Sequence, residues 1–346
     1  MARISAAALE AFLARIYEAA GLPAADAAAC AAQTVDAELR GIASHGCIRV
    51  GAFVERLRTG TINPRPAIAT VVDLPAYALL DGDRGMSAVV GRRAMDLAMA
   101  KAGAAGIGAV AVRRVSHTGH VGYFAAMALA RRMVGIALSS ATANLAPWGG
   151  AERLIGNNPL AIAIPSRQAY PVVFDMATSK VARGYVLVAA KSGDPIPEGW
   201  ALDESGSPTT DAGRAAAGTM LPLGEHKGYG LALVLGLLTN ALSGNPPEAA
   251  QPDWLETDRE FLLSMLLVAV DPVRCLGEDY EGAVDTVVER IKWSRLAPGF
   301  DEIRIPGEGA HRRRRDALAS GIALAPAVER ELDEVATRLG VAQLRA

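Results

Sequence analysis

The stretch IGAVAVRRVSHTGHVGYF, residues 107–124, decides the fold. Its opening IGAVAVR is apolar and rich in valine and isoleucine, which predicts a buried strand, and SHTGHVGYF from Ser116 then opens a helix. A strand end that meets a helix N-terminus is where α/β proteins commonly line a ligand crevice. Outward from this point the same texture repeats. ATVVD before Leu74, YALLD from Tyr77, VGIALSS from Val134, LAIAIP from Leu160 and VVFDMA from Val172 all predict buried strands. MSAVVGRRAMDLAMAKAG and the segment after Gly122 predict helices between them. The expected body is therefore α/β, or mixed α+β, around a largely buried sheet. Gly103, Gly106 and Gly108 stand in the wrong order for GxGxxG and precede a strand, so they predict a helix-ending turn and no Rossmann fingerprint. P-loop, HExxH and GxSxG motifs are also missing from the sequence.

Both chain ends read as helix. Leu9, Phe12, Leu13, Ile16 and Tyr17 recur with helical spacing, with Ser5 as N-cap and Gly21 as stop. A second, alanine-rich helix is expected from about Ala24 towards Arg40. A third is expected to begin at Ser44, because Val50, Phe53, Val54 and Leu57 follow with helical spacing up to Gly60. At the other end Leu318, Ile322, Val328, Leu332, Val335 and Leu339 give a loosely helical pattern. The expected organisation is a helical unit built from 1–65 with 310–346 around a central unit, 66–309. The polar, turn-rich segment 191–218, with GDPIPEGW and SGSPTTD, predicts a loop excursion.

Composition bounds the function. The 346 residues carry 35 Lys+Arg against 37 Asp+Glu, a formal net charge of -2, and 51% are hydrophobic. That balance excludes a disordered chain and gives no bulk electrostatic grip on nucleic acid. The short basic run Arg312 to Arg315 reads as a solvated turn or helix start. FLLSMLLVAV from Phe261 and YGLALVLGLLTNAL from Tyr229 fall short of the roughly 20 residues that cross a bilayer, so they are expected to be core and no membrane partner is expected. Cys30, Cys47 and Cys275 form no CxxC pair, and Glu10, Arg15 and Glu18 interrupt any signal-peptide core. A reducing, cytoplasmic setting is expected.

Four of the five histidines, His45, His117, His120 and His226, lie in glycine-rich polar segments. In SHGCIR a helix starting at Ser44 would put His45 and Arg49 on one face, pairing a proton-transfer imidazole with a guanidinium able to grip a carboxylate. The two histidines of SHTGHVGYF raise zinc binding, but neither CxxC nor an HExxH carboxylate accompanies them, so no metal site is assigned. VVFDMATSK ends a strand at Asp175 and exposes the amides of Met176, Ala177, Thr178 and Ser179 to an anion, with Asp175 placed to cap a helix or meet a hydroxyl. PLGEHKGYGLAL sets Lys227 between a glycine-rich turn and a helix, where it can contact an anion.

In this order SHGCIR, SHTGHVGYF, LAPWGG, IGNNPLAIAIP, FDMATSKVARG, IPEGWALD with SPTTD, LGEHKGYGLAL and IRIPGEG resemble the malate/L-lactate dehydrogenase family of the non-Rossmann type. That family includes ureidoglycolate, sulfolactate and 2,3-diketogulonate oxidoreductases and cyclic imino acid reductases. The resemblance covers nearly the whole chain. It implies a non-Rossmann nicotinamide-binding sheet unit, a helical unit made from both ends, and a homodimer with the site near the subunit boundary. It implies NAD or NADP as cofactor and a small 2-hydroxy or 2-oxo carboxylate, or a cyclic imino acid, as substrate. His45 and His117 match the family's proton-transfer histidines and Arg49, with Ser44 beside it, the substrate-carboxylate position. Thr142, Asp175, Met176, Ala177, Ser179, Lys227, Pro306, Gly307 and Glu308 match cofactor contacts. The chain departs from relatives at Glu225 after Gly224, at Val115 and Ser116 before His117, and at Phe53, where some relatives carry tyrosine. A metal-dependent hydrolase or lyase built on the clustered histidines is the reading from a different class.

Overall fold

The computed structural model describes residues 3–168, 170–254 and 256–345. Helix α1 (Ala6–Ala19) starts where the Ser5 hydroxyl accepts the Ala8 amide at 3.2 Å. It buries Leu9, Phe12, Leu13, Ile16 and Tyr17 against α2 (Ala24–Leu39), whose alanines let the two backbones approach. The helix expected from Ser44 is broken. Two single 3₁₀ turns, Ala43–His45 and Cys47–Arg49, precede α3 (Val50–Arg58). The cause is Glu38, whose carboxylate accepts the Cys47 amide at 2.7 Å and lies 2.2 Å from where a Cβ on residue 46 would stand. A side chain there would push the Glu38 carboxylate off the Cys47 amide. His45 and Arg49 are thus brought together by a folded-back turn, in which Arg49 Nε donates to the Ser44 carbonyl at 2.7 Å, and not by one helix face.

Twelve strands follow among the described residues: β1 (Ala69–Asp73), β2 (Tyr77–Gly85), β3 (Ile107–Val115), β4 (Val134–Ser139), β5 (Ala143–Leu145), β6 (Ile155–Gly156), β7 (Leu160–Ile164), β8 (Val172–Met176), β9 (Ala201–Leu202), β10 (Pro208–Thr209), β11 (Thr219–Met220) and β12 (Leu263–Val270). Seven form one mixed sheet in the order β1-β2-β3-β12-β4-β7-β8, with only β2 and β3 parallel. The crossover between those two is α4 (Ser87–Ala105), ended by Gly106 at φ 86, as the glycine spacing predicts. FLLSMLLVAV supplies β12 in the sheet's centre and is mostly buried, with Val268 and Val270 half-buried. ATVVD and VVFDMA are strands but less buried than expected, because β1 and β8 are the two edges.

The segment 191–218, expected as loop, carries β9, β10 and a helix of the second sheet, ordered β10-β9-β11-β5-β6. Helix α5 (Gly122–Met127) packs on β4 and β7 of the large sheet, while α6 (Arg183–Ser192) and α7 (Ala212–Ala217) complete the smaller layer, which has its own core of Leu145, Ile155, Val186, Ile196 and Met220. Helix α8 (His226–Gly236) continues through a wide π turn, Leu237–Ala241. It covers one face of the large sheet with Leu235, beside Leu79, Ala111, Leu138 and Leu266. The expectation that this whole stretch is core fails. Leu233, Val234, Leu237, Leu238 and Leu242 are exposed, because only one stripe of the helix reaches the sheet. After α9 (Pro272–Leu276) and α10 (Tyr280–Lys292), the chain closes with α11 (Glu308–Ser320) on α2 and α12 (Pro326–Arg338) on α3. One apolar core runs from Ile4 and the end helices through Phe124 to Met265 of the sheet.

Candidate active site

A cavity of about 590 Å³ opens where the 43–49 turns, the loop after β3, the end of β8 and the start of α11 converge. Its size is that of a small-ligand or cofactor site. Ser44, His45, Arg49, His117, Thr142, Asp175, Met176, Ala177 and Gly307 all line it. Segments more than 250 residues apart in sequence thus share one wall.

The two histidine rings stand 5.7 Å apart, centroid to centroid. His45 is oriented by the Ser44 hydroxyl, 2.9 Å from Nδ1. Burial first, then the Arg49 guanidinium and His120, push its pKa down to about 4. His117 is held differently. The Gly119 amide donates to its Nδ1 at 3.1 Å, so Nδ1 carries no hydrogen and the neutral ring presents Nε2–H. Burial, then Arg49, His45 and Arg56, hold its pKa well below the ordinary histidine value. Trp254 packs on the ring at 4.5 Å and Phe53 meets it edge-on at 6.1 Å. Arg49, half-buried and lowered by burial, keeps its two terminal nitrogens for a ligand, since only Nε is committed to the backbone.

Across the cavity Asp175 ends β8. It caps α5 and not a helix of its own, accepting the Gly122 amide at 3.0 Å, and the next helix begins only at Arg183. His120, 3% exposed, stands between Asp36 at 3.3 Å and Asp175 at 3.7 Å. Burial opposes its charge, but the two carboxylates outweigh it and raise its pKa. Asp36 is in turn held down to about 2, with burial overcome by His120 and Arg40. Three histidines therefore meet at one site in opposed environments: burial and Arg49 lower the pKa of two, and two carboxylates raise that of the third against its burial.

The remaining expected residues lie off the cavity wall. Ser179 is buried and bridges to Pro222, and its hydroxyl finds no partner; the Thr178 amide is already given to the Asn157 carbonyl at 3.0 Å. Lys227 is exposed at the start of α8. Pro306 turns its carbonyl to the Val173 amide. Glu308 is engaged within the protein by Lys292 at 2.8 Å, by Arg312 and by the Ile305 amide, which hold its pKa down to about 2 despite the opposing effect of burial. Asn144 and Trp254 in the wall carried no sequence signal, while Arg183 lay in FDMATSKVARG and Arg313 in the basic run without being assigned to a site. The four-histidine cluster does not form, because His226 packs near Trp148, 6.4 Å away, outside the cavity. Among the described residues no three His, Cys, Asp or Glu side chains gather in a metal-holding group, and no helix is long and apolar enough to cross a membrane.

The chemistry of the wall fits a polar, elongated cofactor such as a nicotinamide nucleotide. Asn144 Oδ1 in the wall is buried without a partner. Such groups normally have a hydrogen-bond partner, and a ligand rich in amide, hydroxyl and phosphate groups supplies one.

The comparisons with known proteins give the family. L-sulfolactate dehydrogenase of Methanocaldococcus jannaschii is 38% identical over 322 residues, 93% of this chain and 92% of that protein. The solved sulfolactate dehydrogenase structure from the same organism superposes with a TM-score of 0.93 at 36% identity, covering 99% of both chains. The malate dehydrogenase structure from Pyrococcus horikoshii gives 0.90 at 34% identity, covering 99% of this chain and 97% of its own. Ureidoglycolate dehydrogenase (NAD(+)) of Escherichia coli K12 is 33% identical over 307 residues, 88% of this chain and 87% of that protein. With the malate/L-lactate dehydrogenase family model matching residues 4–333, the chain belongs to that family.

Proposed function

We propose that the protein is an NAD(P)-dependent oxidoreductase acting at C2 of a small 2-hydroxy or 2-oxo carboxylic acid. The observation that carries this reading is the meeting of Arg49, His45 and His117 in one cavity whose wall also carries the unpaired Asn144 Oδ1. The nicotinamide, when bound, exchanges a hydride with C2. Arg49 holds the substrate carboxylate through its free terminal nitrogens and so fixes where C2 and its oxygen lie. His117, locked with Nδ1 as acceptor, points an Nε2–H donor and stabilises charge developing on the C2 oxygen. His45 carries the proton. The Ser44 hydroxyl can donate to Nδ1 or accept from it, so His45 can take the hydroxyl proton at Nε2 during oxidation and return it during reduction. This division of labour follows from the different partners of the two Nδ1 atoms.

The contact assignments are part of the same proposal: Thr142, Asp175, Met176, Ala177 and Gly307 touch the cofactor across the cavity. Ser179, Lys227, Pro306 and Glu308 would support it from outside the wall or after movement of the surrounding chain. The helical unit, 1–65 with 310–346, would carry the substrate side and the central unit, 66–309, the cofactor side. The exposed leucines of α8 and its π turn support a homodimer. The three free cysteines suit a reducing cytoplasm.

The test follows the nicotinamide absorbance with NADH and NADPH separately, against a panel of 2-oxo acids and cyclic imino acids. Oxidation with a 2-oxo acid supports the reading and names the coenzyme. Turnover of cyclic imines alone would move the assignment to imine reduction, and failure of every pair, with no binding of either coenzyme, would overturn it.

A further inference from the structure

Arg56 is 1% exposed, yet none of its guanidinium hydrogen bonds goes to a carboxylate. It reaches out of α3 and donates to three backbone carbonyls of one remote segment: Trp254 at 2.7 Å, Glu256 at 3.0 Å and Arg259 at 3.0 Å. The same guanidinium lies 4.8 Å from the Trp254 ring centroid and 5.2 Å from that of Phe261. Thr59 and Thr61, just beyond α3, add hydroxyl bonds to the Thr257 carbonyl at 2.9 and 3.1 Å. A buried cation is costly unless well bonded, and burial pushes this one down to about 10 in spite of Asp258, Glu256 and Asp253. A planar fork that spans several carbonyls while stacking on aromatic rings is a task for arginine and not for lysine. What it secures is the wall of the site. Trp254 lies at 4.5 Å from His117 and 5.2 Å from Phe53, and Arg49 stands over its ring at 5.9 Å.

We propose that Arg56 is a positioning residue: it clamps the 254–259 segment so that the Trp254 ring seals His117 from water and fixes the direction of its Nε2–H. The proposal rests on the role given to His117 above. The charged and titratable groups facing that ring are His45 and Arg49 from the 43–49 turns, Arg56 from α3, and Asp253 beside Trp254, itself paired with Arg183 at 2.6 Å. Arg56→Lys keeps the positive charge and removes the fork, so a change in His117 reports on the clamp and not on the charge.

The experiment uses the full-length protein labelled with ¹⁵N-histidine, with the His117 signal assigned by its loss in His117→Gln. In the wild type His117 stays neutral with protonated Nε2 across the accessible pH range. In Arg56→Lys, and separately in Trp254→Phe, water reaches the ring and its titration moves upward into that range. Under the oxidoreductase reading both variants lose about tenfold in kcat with unchanged KM for the coenzyme, and Arg56→Lys costs less than about twofold when added to Trp254→Phe. A lowered melting temperature with an unmoved His117 titration overturns the proposal, as does a full tenfold loss repeated in the Trp254→Phe background. The NMR arm needs no turnover, so it gives its answer even if the assigned reaction fails.

Discussion

Arg49→Gln separates carboxylate recognition from everything else the cavity does. The wild-type side chain already spends Nε on the Ser44 carbonyl, at 2.7 Å, which leaves two terminal nitrogens to meet a carboxylate in parallel. Hydrogen bonds to a charged group contribute about 1.5–3 kcal/mol each. Losing both, with part recovered by the glutamine amide, comes to about 3–4 kcal/mol, or roughly 10²–10³-fold in kcat/KM at about 1.4 kcal/mol per decade. A second signature comes with it. Burial is the first cause of the low His45 pKa, and Arg49 is the next, so removing the guanidinium raises that pKa from about 4. In 2-hydroxy acid oxidation His45 works as a neutral base, above its pKa. The wild type therefore holds kcat/KM down to about pH 4, whereas the variant loses it at a higher pH. The assay is kcat/KM against pH with the best acid found in the panel, repeated with added guanidinium ion, which should restore part of the loss. A change below about fivefold together with an unmoved acid limb would place the carboxylate elsewhere and refute the assignment.

Gly122→Ala builds a Cβ 2.5 Å from Asp175 Oδ2, so the carboxylate must leave the Gly122 amide; the coenzyme KM should rise about tenfold with substrate KM little changed, read by initial rates. Leu237→Glu places a charge on the exposed apolar stripe of the π turn after α8 and should convert the proposed dimer to monomer in light scattering without unfolding the chain. His120→Asn should destabilise the protein at pH 6, because it leaves Asp36 and Asp175 without the imidazole between them. Because the folded His120 pKa is raised above the unfolded one, that contribution is complete below about 6.5 and fades as pH rises through the folded value. The melting-temperature gap to wild type should therefore narrow towards alkaline pH, and a gap that widened would reverse the assigned charge state.

Much of the architecture is legible from period and punctuation. Ser5, the α1 stripe, the strand at Ile107 and the stop at Gly106 all act through neighbours in sequence, and each forms as its local chemistry requires. What local pattern misreads depends on distant partners. SHGCIR has helical spacing, but a carboxylate from α2 takes the Cys47 amide and splits the run. VVFDMA has the composition of a central strand and becomes an edge, because strand order is a long-range property. YGLALVLGLLTNAL is apolar all round, yet the single chain covers only one stripe of it. In the site, His45, His117, Arg49 and Asp175 are visible as unusual residue types in glycine-rich settings. Trp254 and Arg56 are not, since an aromatic in a polar loop and an arginine on an amphipathic helix look ordinary until the fold stacks one upon the other.

The arrangement of charge around the cavity gives these residues a common logic. Burial and Arg49 lower the pKa of two imidazoles, while Asp36 and Asp175 raise that of a third against its burial. A substrate carboxylate arriving at Arg49 cancels the charge that most depresses His45 after burial itself, so binding should raise the proton affinity of the group that must exchange a proton. His117 responds less, because its Nδ1 remains occupied by the Gly119 amide whether or not Arg49 is paired. Under the proposed roles, substrate binding would thus select one of two adjacent histidines for proton transfer. The choice is made by a backbone N–H and not by any difference in the rings.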